Sequence, residues 1–415
     1  MGTQVTGEET YADAVEKGHY DRYTGGLHGK HDNVRTYWED QIRNVKLRPH
    51  LQRLVTRKKR AGERLRIADL GAGTGQGYEL LTSMVRDESD LKLHLVRVLP
   101  PEMVEMYVGC DLCEAMVAQG NLAYEDEPNM VFRVGDFSEG FPLADERPFD
   151  LYFCSYGSFS HIDDQALEQL FTEIAEHVEG RALLVGEWLG RHSIEWPCYW
   201  DEGPEEMQDY SMSWLTPGDT PPEDVEHFPM RLWLGDEIQA LAAGVGRKLG
   251  VKFNVLDLYD CSIFVGRHVD TAEYNDWIRP TRAAVNRLHE ANLRTDLERL
   301  KVELVPVPGH DELNGYFSKL QFCWNVLVDY CQRRLERRVS LVRMKNWASF
   351  SPALQIALMA LDRVIDTVAW MRMGDPRANI IEPQLGYSLR SLELELQEGK
   401  GRGHGLVGIF EIRKG

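Results

Sequence analysis

The sequence predicts an α/β fold, in which a mostly parallel sheet carries helices on both of its faces. Two observations predict it. An apolar run at residues 65–70 opens into a glycine-rich turn and then into a helical pattern, and later apolar runs also end at polar residues. A strand that feeds a turn and then a helix is typical of parallel sheets.

The glycine-rich turn is the most informative stretch of the chain. Residues 65–77 read L-R-I-A-D-L-G-A-G-T-G-Q-G, with Asp69 at the end of the apolar run. Glycine lacks a Cβ, so the backbone of the turn can take φ > 0 and approach a ligand closely. The following residues, Y-E-L-L-T-S-M-V, predict a helix whose first N–H groups face the same place. We therefore expect a small polar ligand at this turn.

The charge around the turn narrows the class of ligand. No Lys or Arg lies between Ile67 and Val85, whereas a phosphate cradle normally brings a cation. A dinucleotide fingerprint counted from Gly71 would need glycine where Gln76 stands. An acid beside an uncharged turn suits a ligand with positive charge, such as the ammonium and sulfonium of S-adenosylmethionine. Through these residues the chain resembles the class I S-adenosylmethionine-dependent methyltransferases.

Three later segments carry the same resemblance in the family's order. They are Y-V-G-C-D-L-C-E-A-M at 107–116, V-F-R-V-G-D-F at 131–137 and F-D-L-Y-F-C-S-Y-G-S-F-S-H-I at 149–162. The resemblance implies that Asp111 holds both ribose hydroxyls, and that Asp136 and Phe137 contact the adenine. The full set of contacts that it implies is Asp69, Gly71, Ala72, Gly73, Gly75, Asp111, Leu112, Met116, Gly135, Asp136, Phe137, Cys154, Ser155 and Tyr156.

The family's fold implies a Rossmann-like sheet of seven strands, which we place in residues 59–268. A-L-L-V-G-E-W at 182–188 is the expected fifth strand, and V-K-F-N-V-L-D-L-Y with C-S-I-F-V-G-R, at 251–267, is the expected closing hairpin. One departure concerns spacing. Asp111, the proposed ribose acid, follows Asp69 by 42 positions, whereas a compact strand-helix-strand unit needs about twenty. We assign the excess, residues 86–105, to a surface insertion.

Residues 1–58 predict a polar arm followed by a cap helix at 33–55. In small-molecule methyltransferases such a segment often closes over the cofactor and sends an arginine to the methionine carboxylate. Arg35 is the candidate for that contact. The alternative is an exposed Arg35 that pairs with Glu39 one helical turn later.

Residues 269–415 predict a mostly helical extension. Its apolar stripes indicate faces that pack against each other, against the core or against a second subunit of a homo-oligomer. Near its end, G-K-G-R-G-H-G at 399–405 predicts a flexible hairpin turn before the β-like L-V-G-I-F-E-I.

Residues 189–234 predict a lid or acceptor wall. Positions 192–230 hold ten acids and no Lys or Arg, and five of the ten tryptophans lie in 188–233. Aromatic faces and carboxylates together attract cations, which favours a cationic amine as acceptor; the alternative is an acidic loop that faces solvent. The expected substrate contacts are Trp188, Trp196 and Tyr199.

Methyl transfer from a sulfonium is an in-line displacement, so the protein gains most by aligning the acceptor atom and excluding water. A hydroxyl acceptor benefits from a base with a pKa near neutrality, whereas an amine must only be unprotonated. The candidates for such a base are His161, His192 and Glu187. A structural or loop-capping histidine is the alternative for His161.

Composition excludes several classes of partner. The chain carries 47 basic and 66 acidic residues, and this net charge of −19 argues against a nucleic-acid substrate. No apolar run approaches a membrane span and no signal opens the sequence, so we expect a cytoplasmic protein with no membrane partner. Cys110 and Cys113 have no second cysteine pair with which to bind zinc, so no metal is expected.

The sequence thus favours methyl transfer from S-adenosylmethionine to an oxygen or nitrogen nucleophile of a small molecule. Two alternatives stay open. The first is a binding module that holds the ligand without turnover, because a fold can persist while its site changes. The second is a nucleotide-dependent oxidoreductase, which Gln76 and the missing cations disfavour.

Overall fold

A computed structural model describes residues 12, 15–16, 18, 31–86, 96–203, 206–215, 220–221, 224–336, 341, 346–368 and 370–415. Nine strands of this part of the chain form one sheet. They are β1 (Leu65–Leu70), β2 (Val104–Asp111), β3 (Met130–Val134), β4 (Leu151–Phe153), β5 (Arg181–Gly190), β6 (Met207–Ser211), β7 (His227–Trp233), β8 (Lys252–Cys261) and β9 (Gly405–Arg413).

The sheet is mostly parallel, as the sequence predicts. Its order is β3-β2-β1-β4-β5-β7-β6, and the five neighbouring pairs from β3 to β7 are parallel. Strand β9 runs antiparallel to both β5 and β8, and β6 runs antiparallel to β7. The α/β class is therefore confirmed, although the described sheet has nine strands where seven are expected.

Nine α-helices in the described residues cover the sheet. They are α1 (Asp40–Ala61), α2 (Gln76–Ser83), α3 (Glu114–Ala123), α4 (Asp164–His177), α5 (Gly235–Leu249), α6 (Arg282–Arg287), α7 (Asp311–Leu335), α8 (Pro352–Val368) and α9 (Glu382–Leu396). None of the helices described is long and apolar enough to cross a bilayer.

The alternation of side chains along a strand distributes the core over both faces of the sheet. In β5, Leu184 belongs to the cluster that contains Phe171 of α4. Its neighbour Leu183 belongs to the cluster that contains Trp324 of α7. Strands with helices on both sides are apolar at nearly every position, and eight of the nine residues of β9 are buried accordingly.

The C-terminal helices pack on one another and on the core. Helices α7, α8 and α9 are mutually in contact, and the indole of Trp324 lies 5.6 Å from that of Trp38, between ring centroids. The helical stripes predict packing against each other, against the core or against a second subunit, and these contacts confirm the first two.

Strand β9 lies after the proposed domain boundary at residue 269, yet it pairs with β5 of the core sheet.

The expected closing hairpin is wrong in its second strand. Residues 252–261 do form β8, but its partner is β9 rather than the adjacent C-S-I-F-V-G-R. Ile263, Phe264 and Val265 of that segment are fully buried without forming a strand. A short apolar run fits either a strand or another buried segment, and only the rest of the chain decides. The glycine-rich segment at 399–405 therefore connects α9 to β9 instead of turning a hairpin.

The cap helix and the lid are both present. A π-helical turn at Arg35–Glu39 leads into α1, which continues to Ala61, beyond the expected end of the helix. The lid contains the antiparallel pair of β6 and β7. The insertion before β2 is closed by a bridge between Val85 and Arg97, and residues 87–95 lie outside the described part. Most of the N-terminal arm before residue 31 also lies outside it.

Replacement of Phe410 tests whether β9 is a structural strand of the core. Its buried ring lies 6.0 Å from Phe171 and 5.7 Å from Phe253, between centroids. We expect Phe410→Ala to lower the free energy of unfolding by about 3–5 kcal/mol, measured in urea, because it leaves a cavity. Phe322→Ala removes a ring that is 54% exposed, and a loss below about 1 kcal/mol is expected for this control. Equal losses would contradict the core role of β9.

Candidate active site

A cavity of about 480 Å³ lies where the parallel strands of the sheet end. It is lined by the glycine-rich turn after β1, the segments that follow β2, β3 and β4, the cap helix, the lid, Arg267 and the end of the glycine-rich segment before β9. Of the residues expected from the sequence, the cavity is lined by Arg35, Gly71, Ala72, Gly73, Asp111, Leu112, Met116, Asp136, Phe137, Ser155, Tyr156, His161 and Glu187.

The glycines of the turn are required by its geometry. Gly71, Gly73 and Gly75 have φ of 68°, 52° and 100°, a region that other residues rarely adopt. A Cβ on Gly71 would also lie 2.7 Å from the side chain of Ser158. Gly71 and Gly73 line the cavity, so the bare backbone forms a cradle that side chains would fill.

Asp111 connects the end of β2 to this turn. Its Oδ2 accepts a hydrogen bond from the Gly73 N–H at 2.8 Å, and its Oδ1 accepts one from the Cys113 N–H at 3.0 Å. Two oxygens of a carboxylate can accept about four hydrogen bonds. The backbone therefore fixes the orientation of this carboxylate at the cavity wall.

Asp136 and Phe137 follow β3 on the same side of the cavity. The Oδ1 of Asp136 accepts a hydrogen bond from the Ser138 N–H at 2.8 Å, which closes a turn of the chain. The ring of Phe137 packs edge-on against Phe159 at 6.0 Å between centroids. An acceptor and an aromatic face thus stand side by side after β3.

Asp69 does not reach the cavity, in contrast to the expectation. It is fully buried and accepts a hydrogen bond from the Tyr107 hydroxyl. A Cβ on Gly77 would overlap its carboxylate, so Asp69 supports the turn and α2 from behind. Burial raises the pKa of Asp69 to about 7, even though the bond from Tyr107 acts in the opposite direction.

Three further residues expected at the cofactor are also absent from the wall. Gly75 packs against the ring of Tyr124, and Gly135 packs against Cys110 and Pro142. Cys154 belongs to the core on the α4 face of the sheet, where burial raises the pKa of its thiol well above the ordinary value. The strand alternation that brings its neighbour Ser155 to the cavity turns Cys154 away.

Arg35 projects from the cap helix into the cavity. Its guanidinium lies 3.5 Å from the ring centre of Tyr156, and its Nε lies 3.4 Å from Asp40. The side chain is 3% exposed, and its Nε has no hydrogen-bond partner. Arg35 is therefore neither exposed nor paired with Glu39 as the alternative supposed.

Glu187 is held by Arg43 and by a backbone N–H rather than available as a base. The Arg43 Nε donates to its Oε2 at 3.0 Å, and the Tyr156 N–H donates to the same oxygen at 2.8 Å. Both Arg43 and Glu187 are buried. Proton abstraction by this carboxylate would remove the charge that lies closest to the buried Arg43 guanidinium, so the structure argues against Glu187 as the general base.

A second group of buried ion pairs continues behind the first. Arg282 donates to Asp32 at 2.7 Å and to Glu39 at 2.8 Å. Arg267 approaches the same two acids at 3.8 Å and 3.6 Å, and it also lines the cavity. Burial alone would raise the pKa of Glu39, but Arg282, Arg267 and Arg43 hold it well below the ordinary value.

The lid contributes an apolar, aromatic wall. It presents Tyr210, Met212, Trp214, Phe228, Pro229 and Met230 to the cavity. No acid among the described lid residues lines the cavity, and Asp209 is 64% exposed and paired with His227. On this side of the cavity Arg267 also lines the wall, and its guanidinium lies 4.8 Å from the ring centre of Trp214.

The three expected substrate contacts lie behind this wall. Trp188 is buried in the core beside Phe159, at 5.4 Å between ring centroids. Trp196 donates its indole N–H to the Gly190 carbonyl at 2.9 Å, and Tyr199 packs on Tyr274. The richness in tryptophan indicated the right segment, but most of its indoles build the lid instead of facing the cavity.

The two expected histidines differ in position. His161 lines the cavity and stacks on Phe228, and burial lowers its pKa to about 4. His192 does not line the cavity; it packs against Trp200, and burial lowers its pKa to about 4. A base this weak abstracts a proton poorly near neutral pH.

Sequence reasoning missed several residues of the wall. Arg43 and Glu39 lie on a helix whose charges resemble a solvated face, and no spacing distinguishes them. Arg267 was assigned to a strand, and His404 to a flexible turn. His404 reaches the cavity because β9, which follows it, pairs with strands that lie far away in the sequence.

Residues 67–180 match the sequence model of a methyltransferase domain. They form a class I S-adenosylmethionine-dependent methyltransferase domain. The protein is a S-adenosylmethionine-dependent methyltransferase. No curated protein matches the chain by sequence.

Solved structures similar to this methyltransferase include a S-adenosylmethionine-dependent methyltransferase from Clostridium acetobutylicum. The two sequences are 16% identical, the match covers 47% of this chain and 76% of that chain, and the TM-score is 0.31. An amino pentose methyltransferase from Micromonospora echinaspora has 13% identity, with 52% and 84% covered and a TM-score of 0.31. A Pyrococcus horikoshii protein has 18% identity, with 55% and 92% covered and a TM-score of 0.34. Similarity at this level carries no information about the acceptor.

The raised pKa of Asp69 predicts a specific dependence of stability on pH. The folded protein keeps this proton up to about pH 7, whereas the unfolded chain loses it near 3.8, so stability falls as pH rises between these values. Asp69→Asn removes that titration and keeps an acceptor for Tyr107. We expect the wild type to lose stability relative to Asp69→Asn by about 1.4 kcal/mol per pH unit in this window.

Urea unfolding at several pH values measures this difference. Asp145→Asn, at a carboxyl that is 76% exposed, is the matched control and should run parallel to the wild type. A constant difference between wild type and Asp69→Asn from pH 4 to 7 would show that Asp69 is ionised throughout.

Proposed function

We propose that this methyltransferase transfers the methyl group to an oxygen or nitrogen atom of a small molecule. The observation that carries the proposal is the single cavity that joins the glycine-rich turn to the aromatic wall of the lid. Ligand pockets for small molecules are typically 300–1,000 Å³ and mostly apolar, with a few polar groups that fix orientation. The cavity, at about 480 Å³, agrees with both features.

The residues at the turn fit the adenosyl donor. Gly71 brings bare backbone to the cavity, and the carboxylate of Asp111 lines the cavity beside it with two oxygens that are suited to two hydroxyls. We infer that Asp136 accepts from the adenine amino group, that Phe137 covers the ring, and that Leu112 and Met116 complete its apolar surroundings. The buried Nε of Arg35 makes no hydrogen bond, which fits a role in binding the methionine carboxylate.

S-adenosylmethionine supplies a methyl group on a sulfonium, which any sufficiently nucleophilic acceptor can displace in line. The chain's own contribution is to orient the acceptor and exclude water. Tyr210 and Trp214 of the lid and Tyr156 after β4 surround the volume beyond the turn. Effective molarities from such positioning can supply about 7–11 kcal/mol of the barrier.

The lid side of the wall favours a neutral or anionic acceptor over a cationic amine. The acids Glu39 and Glu187 also line the cavity, but they are paired with buried arginines. The acids that motivated the amine hypothesis do not line the cavity in the described lid, whereas Arg267 does. A guanidinium near the acceptor raises the free energy of a bound cation by like-charge repulsion. We therefore set the cation cage aside in this proposal.

Three broader expectations remain proposals. The first is the division of the chain into an arm and cap at 1–58, a core at 59–268 and an extension at 269–415. Composition supports a cytoplasmic location, and the net charge of −19 supports an acceptor other than nucleic acid. The exposed apolar residues of α8, among them Ile356 at 62%, leave assembly through the C-terminal helices as a further proposal.

Replacement of Asp111 tests the donor half of the site. We expect Asp111→Ala to weaken binding of S-adenosylhomocysteine about 100-fold in isothermal titration calorimetry, because two charge-assisted hydrogen bonds are lost. Asp111→Asn keeps one carbonyl acceptor and should lose about 10-fold. Asp145→Ala is the control for overall charge and should bind like the wild type. Unchanged affinity in Asp111→Ala would contradict the assignment of the ribose acid.

Transfer of label tests the function itself. S-adenosylmethionine labelled with tritium in the methyl group is incubated with the full chain and a panel of small hydroxyl and amine compounds. We expect label to appear in a small organic product. Label recovered only on added protein or RNA would contradict a small-molecule acceptor.

A further inference from the structure

His404 lies at the end of the glycine-rich segment and lines the cavity together with the aromatic lid. Its Nδ1 lies 2.8 Å from Oε2 of Glu195, a carboxylate that is fully buried. Neither residue was expected at the site from the sequence. The pair has the arrangement in which an acid orients an imidazole for proton transfer.

The glycine-rich segment holds His404 rigidly instead of forming a flexible turn. The carboxylate of Asp260 accepts hydrogen bonds from the N–H groups of Lys400, Gly401 and Arg402 at 3.0, 2.7 and 2.9 Å. The carbonyl of His404 accepts from the Gly190 N–H at 3.1 Å, at the end of β5. Gly403 has no room for a side chain, because a Cβ would overlap the Cys261 carbonyl. The imidazole is therefore fixed relative to the sheet.

Glu195 determines which nitrogen of His404 carries the proton. Burial alone would raise the pKa of Glu195, but His404 and the surrounding donors lower it below its ordinary value. The Ser193 hydroxyl donates to it at 3.1 Å, and the His268 N–H also donates to it. An ionised carboxylate only accepts, so Nδ1 of His404 is the donor and Nε2 keeps the lone pair.

The other titratable groups near this pair are poorer general bases than His404. His268 packs 6.4 Å from it, between ring centroids, and burial lowers the pKa of His268 to about 3. Tyr210 and Arg267 line the same cavity, and neither accepts a proton near neutral pH. His161 also lines the cavity, but burial lowers its pKa to about 4, which makes it a weak base near neutral pH.

We propose that His404 is the general base, that Glu195 is its positioning residue, and that the acceptor is a hydroxyl group on a flat aromatic compound. The inference rests on the proposed small-molecule transfer. The flat acceptor follows from the rings of Tyr210, Trp214 and Phe228, which face the same volume. Arg267 favours the negative charge that develops on the acceptor oxygen.

The step balances without another reactant. The acceptor oxygen forms a bond to the methyl carbon while the carbon–sulfur bond breaks, and the electron pair of that bond stays on sulfur. The hydroxyl proton moves to Nε2 of His404, and Glu195 stabilises the resulting imidazolium. The products are an aryl methyl ether and S-adenosylhomocysteine, and the imidazolium returns its proton to water.

The first test measures the tautomer of His404 without turnover. Nitrogen-15 NMR of histidine-labelled protein, with S-adenosylhomocysteine added, identifies the His404 signal by its loss in His404→Gln. We expect the proton on Nδ1 in the neutral form, and a change of that signal in Glu195→Gln. A proton on Nε2 would overturn the proposal, because the lone pair would then face Glu195.

The second test varies the acidity of the acceptor, with 4-methylphenol, 4-nitrophenol and 4-methylaniline as probes. At pH 7.5 we expect His404→Gln to lower kcat/KM for 4-methylphenol about 100-fold, because this phenol needs a base. The loss for 4-nitrophenol, which ionises readily by itself, should be below about 3-fold. Equal losses for the two phenols would indicate a structural role and overturn the assignment of the base.

The response to acceptor acidity also separates the two cavity histidines. His161→Gln should lower kcat/KM for 4-methylphenol and for 4-nitrophenol by the same factor, whereas Glu195→Gln should lower it more for 4-methylphenol. A loss confined to 4-methylphenol in His161→Gln, together with equal losses for both phenols in His404→Gln, would overturn the assignment.

The failure of this inference is distinguishable from that of the proposed function. If S-adenosylhomocysteine binds and label passes to the aniline but not to either phenol, the hydroxyl class is wrong while small-molecule transfer stands. If none of the three probes accepts label although S-adenosylhomocysteine binds, the aromatic acceptor is wrong. Absence of S-adenosylhomocysteine binding would contradict the proposed function itself.

Discussion

Buried ion pairs at the carboxyl ends of the strands are the interaction on which the site depends. Arg43 bridges the cap helix to Glu187 on β5, and Arg282 bridges the same helix to α6 through Asp32 and Glu39. Each buried charge costs several kcal/mol in desolvation, which only good geometry returns. The cap helix is therefore held in one position over the glycine-rich turn, and Arg35 enters the cavity from that position.

The same constraint links the extension to the core. Arg267 and Arg282 belong to the chain between β8 and α7, and they share the acids of the cap helix. Strand β9 then returns from the far end of the sequence and pairs with both β5 and β8. The cavity is thus closed by the N-terminal and C-terminal parts together, and neither the core nor the extension would form it alone.

The sequence predicts what is local. The strand, turn and helix at residues 65–83 are encoded by neighbouring residues, and so are Asp111 and Asp136 at the ends of β2 and β3. The strand pairing of β9 is not local: nothing in L-V-G-I-F-E-I indicates that its partners lie more than a hundred residues before it. His404 and Glu195 were missed for this reason, because their contact exists only through that pairing.

Charges and aromatic residues were harder to place than strands. A lid rich in acids and tryptophan suggested a cation cage, yet the described acids of the lid do not line the cavity. Trp196 packs against Tyr210 at 6.5 Å between ring centroids and does not line the cavity either. The composition of a segment does not show which way its side chains point. The alternation of side chains along a strand decides which of them face a ligand. Asp69 shows the same effect, since its carboxylate supports the turn from below.

A crystal structure of the complex with S-adenosylhomocysteine tests the central claim most directly, namely that one cavity holds the donor at the turn and the acceptor at the lid. The account predicts the ribose at Asp111, the adenine beside Phe137, and the sulfur directed toward the volume between Tyr210 and His404. A ligand bound elsewhere, or one whose sulfur is directed away from the lid, would contradict it.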